Sequence, residues 1–230
     1  MTESVIIDVQ NVTRLYQQGI VEVAALHDLS LQIEAGEFTA ICGPSGSGKT
    51  TLLNMIGALD QPTSGRVIIE GQDLGDLDRQ QLSHLRRDRI GFVFQSYNLI
   101  PVLTAYENAE LVLSVQGASQ SERKEKVMVL LQAVGLEGLE DRRPSELSGG
   151  QQQRVAIARA LASGPAVILA DEPTANVDSE TAVLLLDLMQ KLNQSHEATF
   201  VFSTHDPRVM ERARRLVRMV DGQIGSDELK

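Results

Sequence analysis

The chain has 230 residues, 42% hydrophobic and 23% charged, with a net charge of −10. That length fits one large domain, or a core with one insertion, and is enough to bury a substantial core. The acidic balance argues against a protein whose main work is gripping phosphate backbones, and 3% aromatic residues with no Trp leave few platforms for single-stranded nucleic acid.

The N-terminus, MTESVIIDVQ, has no basic segment followed by an apolar one, so no signal peptide is expected. The first forty residues read as short strands. VIIDV (5–9) is apolar and β-branched, Leu29, Leu31 and Ile33 alternate with polar neighbours, and AGE turns the chain into FTAIC (38–42). Cys42, the single cysteine, excludes an internal disulfide and reads as a buried, inert thiol in a reducing compartment.

GPSGSGKT, Gly43 to Thr50, fits the P-loop pattern G-x-x-x-x-G-K-[ST] in full, between the FTAIC strand and the apolar helix TTLLNMIGAL. Its glycines let backbone N–H groups turn inward around phosphate oxygens, helped by the positive end of the following helix. Lys49 supplies a point charge for the β- and γ-phosphates, and the Thr50 hydroxyl a ligand for Mg²⁺. RVIIE (66–70), after a TSG turn, reads as another strand. The basic clusters Arg86, Arg87, Arg89 and Arg212, Arg214, Arg215 read as solvated surface. GFVF then delivers Gln95 to the end of a short apolar strand, where its amide can touch a metal or the metal's water.

Residues 96–160 read as mainly helical. Ser119 and Glu122 have capping-box spacing, and Val127, Leu130, Leu131 and Val134 follow at helical intervals until Gly135. LSGGQQQRVAIARA places Ser148, Gly149 and Gly150 at the start of a helix, a second anion-binding device. The P-loop already surrounds its own phosphates, so this second device is most economically a lid for another molecule's nucleotide.

AVILA (166–170) reads as a buried strand that carries Asp171 to its carboxyl end, positioned to hold a metal through its waters, with Glu172 beside it as general base. After a helix from Val183 to Leu192, the strand ATFVFST delivers His205, which in this company can hydrogen-bond a γ-phosphate or the attacking water. His27, His84 and His196 have no such setting, and no Cys/His cluster suggests zinc. A short helix near 207–213 and a strand pair around VDGQ close the chain. The apolar runs fall far short of the ~20 residues of a membrane span, so a soluble chain is expected, and work at a membrane needs a partner. Strands alternating with helices imply a parallel-sheet α/β core, with the helical middle inserted into it.

GPSGSGKT, LSGGQQQR and VILADEP in this order resemble an ABC-family ATPase over essentially the whole chain. The resemblance implies a P-loop NTPase fold: a RecA-like parallel-sheet α/β core with an N-terminal antiparallel β-subdomain (about 1–95 and 161–230) and an inserted α-helical subdomain (about 96–160). It implies ATP and Mg²⁺ as ligands and a head-to-tail, ATP-dependent homodimer. In that dimer Ser148, Gly149 and Gly150 of one copy close over ATP held by Gly43, Pro44, Ser45, Gly46, Ser47, Gly48, Lys49, Thr50 and Thr51 of the other. It makes Tyr16 the platform for adenine, Gln95 the link from the site to the helical insertion, Asp178 a residue of the dimer seam, and His205 the switch histidine.

RRDRIGFVFQSYNLIPVLTAYENAEL together with PTANVD is similar to the branch of lipoprotein-releasing and macrolide-export ATPases. That implies a transmembrane permease subunit of the MacB or LolC/E kind, no nucleic-acid partner, and a place at the cytoplasmic face of the inner membrane. The work implied is of the export, lipoprotein-release or mechanotransmission type. Two departures are small: Lys-Thr-Thr stands where Lys-Ser-Thr is commoner, and ANVD where SALD is frequent. Thr50 keeps the hydroxyl and Asp178 the carboxylate. The rival reading, a cytosolic ABC ATPase acting on nucleic acid or ribosomes, would need coiled coils, zinc insertions or a second cassette that this sequence lacks. A nucleotide sensor without turnover is opposed by intact Glu172 and His205.

Overall fold

The computed structural model describes residues 5–19, 21–196 and 198–230, without the side chains of Gln18 and His196. The start of the N-terminal segment and the His196 side chain therefore lie outside the described residues. β1 (Val5–Gln18) and β2 (Val21–Glu34) form a long antiparallel ladder. Where the pattern anticipates short strands, each runs to 14 residues. Register shifts between Val9 and Val12, Val12 and Arg14, and Arg14 and Leu15 break the two-residue alternation by which a strand is recognised. Asn11 and Asp28 sit in this irregular stretch at φ 48° and 47°, and Asn11 Nδ2 donates to Asp28 Oδ1 at 3.0 Å.

After β3 (Phe38–Cys42) and α1 (Lys49–Ile56), β4 (Ser64–Ile69) and β5 (Gln72–Asp73) join the first sheet, in the order β2-β1-β4-β5. α2 (Arg79–Arg89) has no counterpart in the sequence reading: only Leu82 and Leu85 are buried on an otherwise polar helix, too little to show a stripe. Its signal was the capping box, in which the Asp78 carboxylate accepts from Gln81 N and the Gln81 side chain accepts from Asp78 N, both at 2.8 Å. Nor are the basic clusters simply solvated. Arg86 Nη1 donates to Ala58 O at 2.8 Å, Arg87 pairs with Asp88 and Arg89 with Glu70. Arg212 pairs with Asp187, and Arg215 with both Glu37 and Asp227.

The second sheet adds β6 (Ile90–Val93), β7 (Val167–Asp171), β8 (Thr199–Thr204), β9 (Arg215–Val220) and β10 (Gln223–Leu229), in the order β10-β9-β3-β8-β7-β6. All its pairings are parallel except β10 with β9. β3 and β8 are buried along their whole length, as strands covered on both faces must be. Successive residues serve opposite cores. Phe38, Ala40, Ile168, Ala170, Phe200 and Phe202 face a helical layer, while Ile41, Val167, Leu169 and Val201 face α1, α2 and the first sheet. Cys42 is buried, and burial pushes its thiol up from the ordinary range.

The helical layer contains α3 (Ala105–Val115), α4 (Gln120–Ala133) and α5 (Gly149–Ala162), with α6 (Ser179–His196) and α7 (Pro207–Arg212) following later. α3, α4 and α5 pack on one another, but α5 also packs against β6 of the sheet. That approach requires a glycine: a Cβ on Gly91 would stand 2.5 Å from Ala160 O. Residues 96–104 are not helical, and fully buried Asn108 organises them. Its Oδ1 accepts from Ile100 N at 2.8 Å, and its Nδ2 donates to the carbonyls of Ile100, Leu103 and Thr104 at 3.1, 3.1 and 2.9 Å. Asn108→Ala strands these groups and should cost about 3 kcal/mol. Urea unfolding should show a lower midpoint with an unchanged slope.

Candidate active site

The parallel strands deliver their C-terminal ends to one edge of the sheet, where open α/β sheets bind ligands. β3 runs into Gly43–Gly48, β6 into Gln95, β7 ends at Asp171 before Glu172, and β8 precedes His205. Because β8 lies between β3 and β7, and β6 borders β7, segments far apart in sequence become neighbours. They enclose a cleft of 630 Å³ whose lining includes Pro44, Lys49, Thr50, Thr51, Gln95, Glu172 and His205, with Ser45, Gly46, Gly48, Ala25 and Ala175.

Two glycines of the loop are required by close approach. A Cβ on Gly43 would lie 2.2 Å from Met219 O, and one on Gly48 2.5 Å from Ala25 O; Gly48 also caps α1 at φ 98°. Lys49 Nζ donates to Gly43 O and Pro44 O, each at 2.9 Å, which folds the ammonium back along the loop and leaves one of its three N–H groups for another acceptor. Thr50 Oγ1 donates to Asp171 at 3.2 and 3.4 Å from the two carboxylate oxygens. A hydroxyl and a carboxylate facing each other, with the Gln95 amide on the same cleft, form an oxygen donor set of the kind Mg²⁺ prefers. Ser47 Oγ is buried and among the described residues has no hydrogen-bond partner.

Glu172 adopts φ 45°, an uncommon conformation for a side-chain-bearing residue. Its carboxylate is held at both oxygens. His205 Nδ1 lies 2.7 Å from Oε1, and Thr204 Oγ1 donates to Oε2 at 3.3 Å. An ionised carboxylate only accepts, so Nδ1 carries the proton and Nε2 of the 73%-exposed ring stays available.

Sequence reasoning passed over the residue beneath this pair. Asp206 N donates to Thr204 Oγ1 at 2.9 Å, and the Asp206 carboxylate accepts from Thr174 Oγ1 at 2.8 Å and from Arg208 Nη2 at 2.6 Å. Its signal was local: Asp before Pro207 is a helix N-cap. Burial alone would raise the Asp206 carboxyl, but the bonds from Arg208 and Thr174 outweigh it and hold the group at about 2. Since the ordinary value is 3.8, this contributes about 2 kcal/mol of stability, fully present above pH 4 and lost as the pH falls through about 2. Asp206→Asn should therefore lower the urea midpoint at neutral pH and flatten its decline between about pH 4 and 2.

The remaining anticipated residues lie elsewhere. Tyr16 donates its hydroxyl to Asp60 Oδ2 at 2.7 Å, carries the Arg14 guanidinium 4.6 Å from its ring centre, and is not part of the cleft lining. Ser148 caps α5, its Oγ accepting from Gln151 N at 3.3 Å. Gly149 and Gly150 have packing reasons to lack side chains: a Cβ would stand 2.7 Å from the Tyr97 hydroxyl and 2.3 Å from Thr181 Cγ2 respectively. None of these three lines the chain's own cleft. Asp178 caps α6, accepting from Thr181 Oγ1 at 2.6 Å and Thr181 N at 2.9 Å, and the Thr181 bonds hold its carboxyl below the usual range. His27 and His84 are exposed and lie outside the cleft lining. Among the described residues no helix is long and apolar enough to cross a membrane.

Comparison with known proteins shows what the chain as a whole is similar to. The sequence profile of the ABC transporter family matches residues 26–175, more than half of the chain. An uncharacterized ABC transporter ATP-binding protein of Methanocaldococcus jannaschii, MJ0796, is 47% identical over 226 residues, covering 96% of each chain. The macrolide export ATP-binding/permease protein MacB of Hyphomonas neptunium is 49% identical over 222 residues. That match covers 96% of this chain but only 34% of MacB, so the chain spans about a third of that relative's length. A dimeric post-hydrolysis structure of the MJ0796 cassette, bound to ADP and Pi, matches with a TM-score of 0.90 at 46% identity, covering 97% of this chain and 98% of that one.

Proposed function

From the premise that this chain belongs to the ABC transporter family, we propose that it is the ATP-hydrolysing subunit of a transport machine, working at two composite sites of a head-to-tail homodimer. The observation that carries this reading is the convergence of Lys49, Thr50, Gln95, Glu172 and His205 on one cleft, with Asp171 hydrogen-bonded to Thr50 at its edge. Mg²⁺, when bound, neutralises phosphate charge as a Lewis acid; Thr50, Gln95 and Asp171 are the residues that would hold it.

Each side chain then has one task. Lys49 and the amides of the Gly43–Thr51 loop hold the triphosphate and stabilise charge that develops on the phosphoryl group. Glu172 accepts the proton of the attacking water at a carboxylate oxygen, and His205, bonded to Oε1, fixes that carboxylate and offers Nε2–H or an acceptor to the phosphate side. Tyr16 receives adenine. Ser148, Gly149 and Gly150 close over the partner's nucleotide, where α5 points the positive end of a 14-residue helix. Asp178 stands at the seam.

In the same reading, residues 1–95 and 161–230 form the nucleotide-holding core with its β-subdomain, and 96–160 the helical subdomain that passes closure to a membrane-spanning permease. Exposed Ile100 and Val102, on the loop between Gln95 and α3, support a partner on that side. The chain then works at the cytoplasmic face of the inner membrane, held there by the permease, in export, lipoprotein release or mechanotransmission. Phosphate release from MgATP tests the reading. Specific activity should climb with protein concentration as dimers form, whereas undiminished activity from a demonstrably monomeric preparation would remove the shared sites.

A further inference from the structure

Beyond Val93 the β6–β7 ladder ends, yet Gln95 must enter the cleft beside Thr50 and Glu172 from a chain the sheet no longer holds. The backbone there is unusual. Tyr97 and Asn98 adopt φ 59° and 50° in succession, a left-handed pair in which Tyr97 carries a cost of roughly 1 kcal/mol or more and which persists only when its surroundings hold it. Two anchors do so. Arg159 of α5 donates to Asn98 O at 2.6 Å and Tyr97 O at 2.9 Å, which secures the far side of the turn. On the near side, Asn176 Nδ2 donates to Gln95 O at 2.9 Å, and the Tyr97 hydroxyl donates back to Asn176 O at 2.9 Å.

Asn176 lies on the segment that leaves β7 directly after Asp171 and Glu172, so this reciprocal pair ties the continuation of β6 to the continuation of β7. The start of α5 is pressed against the same point, with Gly149 leaving room for the Tyr97 hydroxyl and for Asn176 O. We propose that Asn176 and Tyr97 are positioning residues that hold Gln95 at a fixed place relative to Thr50 and Asp171, and so set the affinity of the cleft for the divalent cation that accompanies the nucleotide. This rests on the ATPase reading of the cleft and adds to it two residues that touch neither nucleotide nor metal.

The test is equilibrium binding of fluorescent mant-AMP-PNP, which is not hydrolysed, to the full chain in EDTA and in Mg²⁺. Asn176→Ala removes the donor to Gln95 but keeps the carbonyl that Tyr97 uses. It should weaken binding about fivefold in Mg²⁺, the equivalent of one net hydrogen bond, and less than about twofold in EDTA. Asn176→Asp keeps the shape and loses the N–H, so its loss in Mg²⁺ should be at least as large. Tyr97→Phe, lacking only the hydroxyl, should lose about twofold to threefold in Mg²⁺ alone. Steady-state hydrolysis by Asn176→Ala should need several-fold more Mg²⁺ for half-maximal rate, and its KM for MgATP should rise in parallel with the weaker Mg²⁺-dependent binding.

Equal losses in EDTA and Mg²⁺ would reduce the pair to general scaffolding and overturn the proposal, as would parental Mg²⁺ dependence in Asn176→Ala. If Asn176→Ala proves poorly folded by its urea midpoint, Tyr97→Phe decides by the same two-buffer comparison. A parent chain that binds no analogue in either buffer overturns the ATPase reading itself, and this inference with it.

Discussion

A Glu172→Gln chain should bind ATP with parental affinity, hydrolyse it at least about a hundredfold more slowly, and accumulate as an ATP-bound dimer. The substitution isolates the proton-accepting role because the rest of the site can keep its shape. A glutamine carbonyl oxygen can still accept from His205 Nδ1, and the amide N–H₂ can donate to Thr204 Oγ1, replacing the two contacts the carboxylate makes now. Backbone strain at φ 45° falls on both residues alike. What is lost is the capacity to take a proton from water near neutral pH. Phosphate release measures the rate, and size-exclusion chromatography in MgATP measures the dimer. Hydrolysis at the parental rate would falsify Glu172 as general base.

Ser148→Arg should lower hydrolysis by a comparable factor, about a hundredfold or more, through a different route. The residue lies outside its own chain's cleft, so in the head-to-tail arrangement the loss comes through the partner's site. The substitution also removes the helix cap, which costs about 1 kcal/mol, and the urea midpoint of Ser148→Arg measures that loss directly. Complementation then distinguishes a swapped site from a folding defect. Lys49→Ala should be equally inactive by itself. In a one-to-one mixture about half of the dimers pair one variant with the other, and each of these keeps one intact site, so about a quarter of the parental activity should return. A mixture no more active than its two components would rule out the head-to-tail arrangement.

Lys49, Thr50, Asp171 and Glu172 stand out in the sequence because each proposed role sits inside a window of a few residues, a glycine loop with its lysine and an apolar strand ending in two carboxylates. The structure brings all four to one end of the sheet. The long first hairpin looks like short strands in the sequence because its bulges erase the period-two signal on which strand recognition rests. α2 was missed because two buried leucines do not make a stripe, and its capping box carried the information instead. The arginine clusters look solvated in the sequence because pairing partners such as Glu70, Asp187 and Asp227 are 12 to 25 positions away in the chain.

By itself, then, the sequence determined the parallel-sheet core, the nucleotide loop and the carboxylates at the strand ends, since local spacing dictates local geometry. Tertiary structure alone decided which side chains hold those groups in place. The Asn176 clasp on Gln95, the Thr174–Asp206 bond beneath His205 and the grip of Arg159 on Asn98 join residues 81, 32 and 61 positions apart. No periodicity or motif encodes such pairs, because they exist only once β6, β7 and β8 lie side by side and bring their C-terminal loops within hydrogen-bond reach.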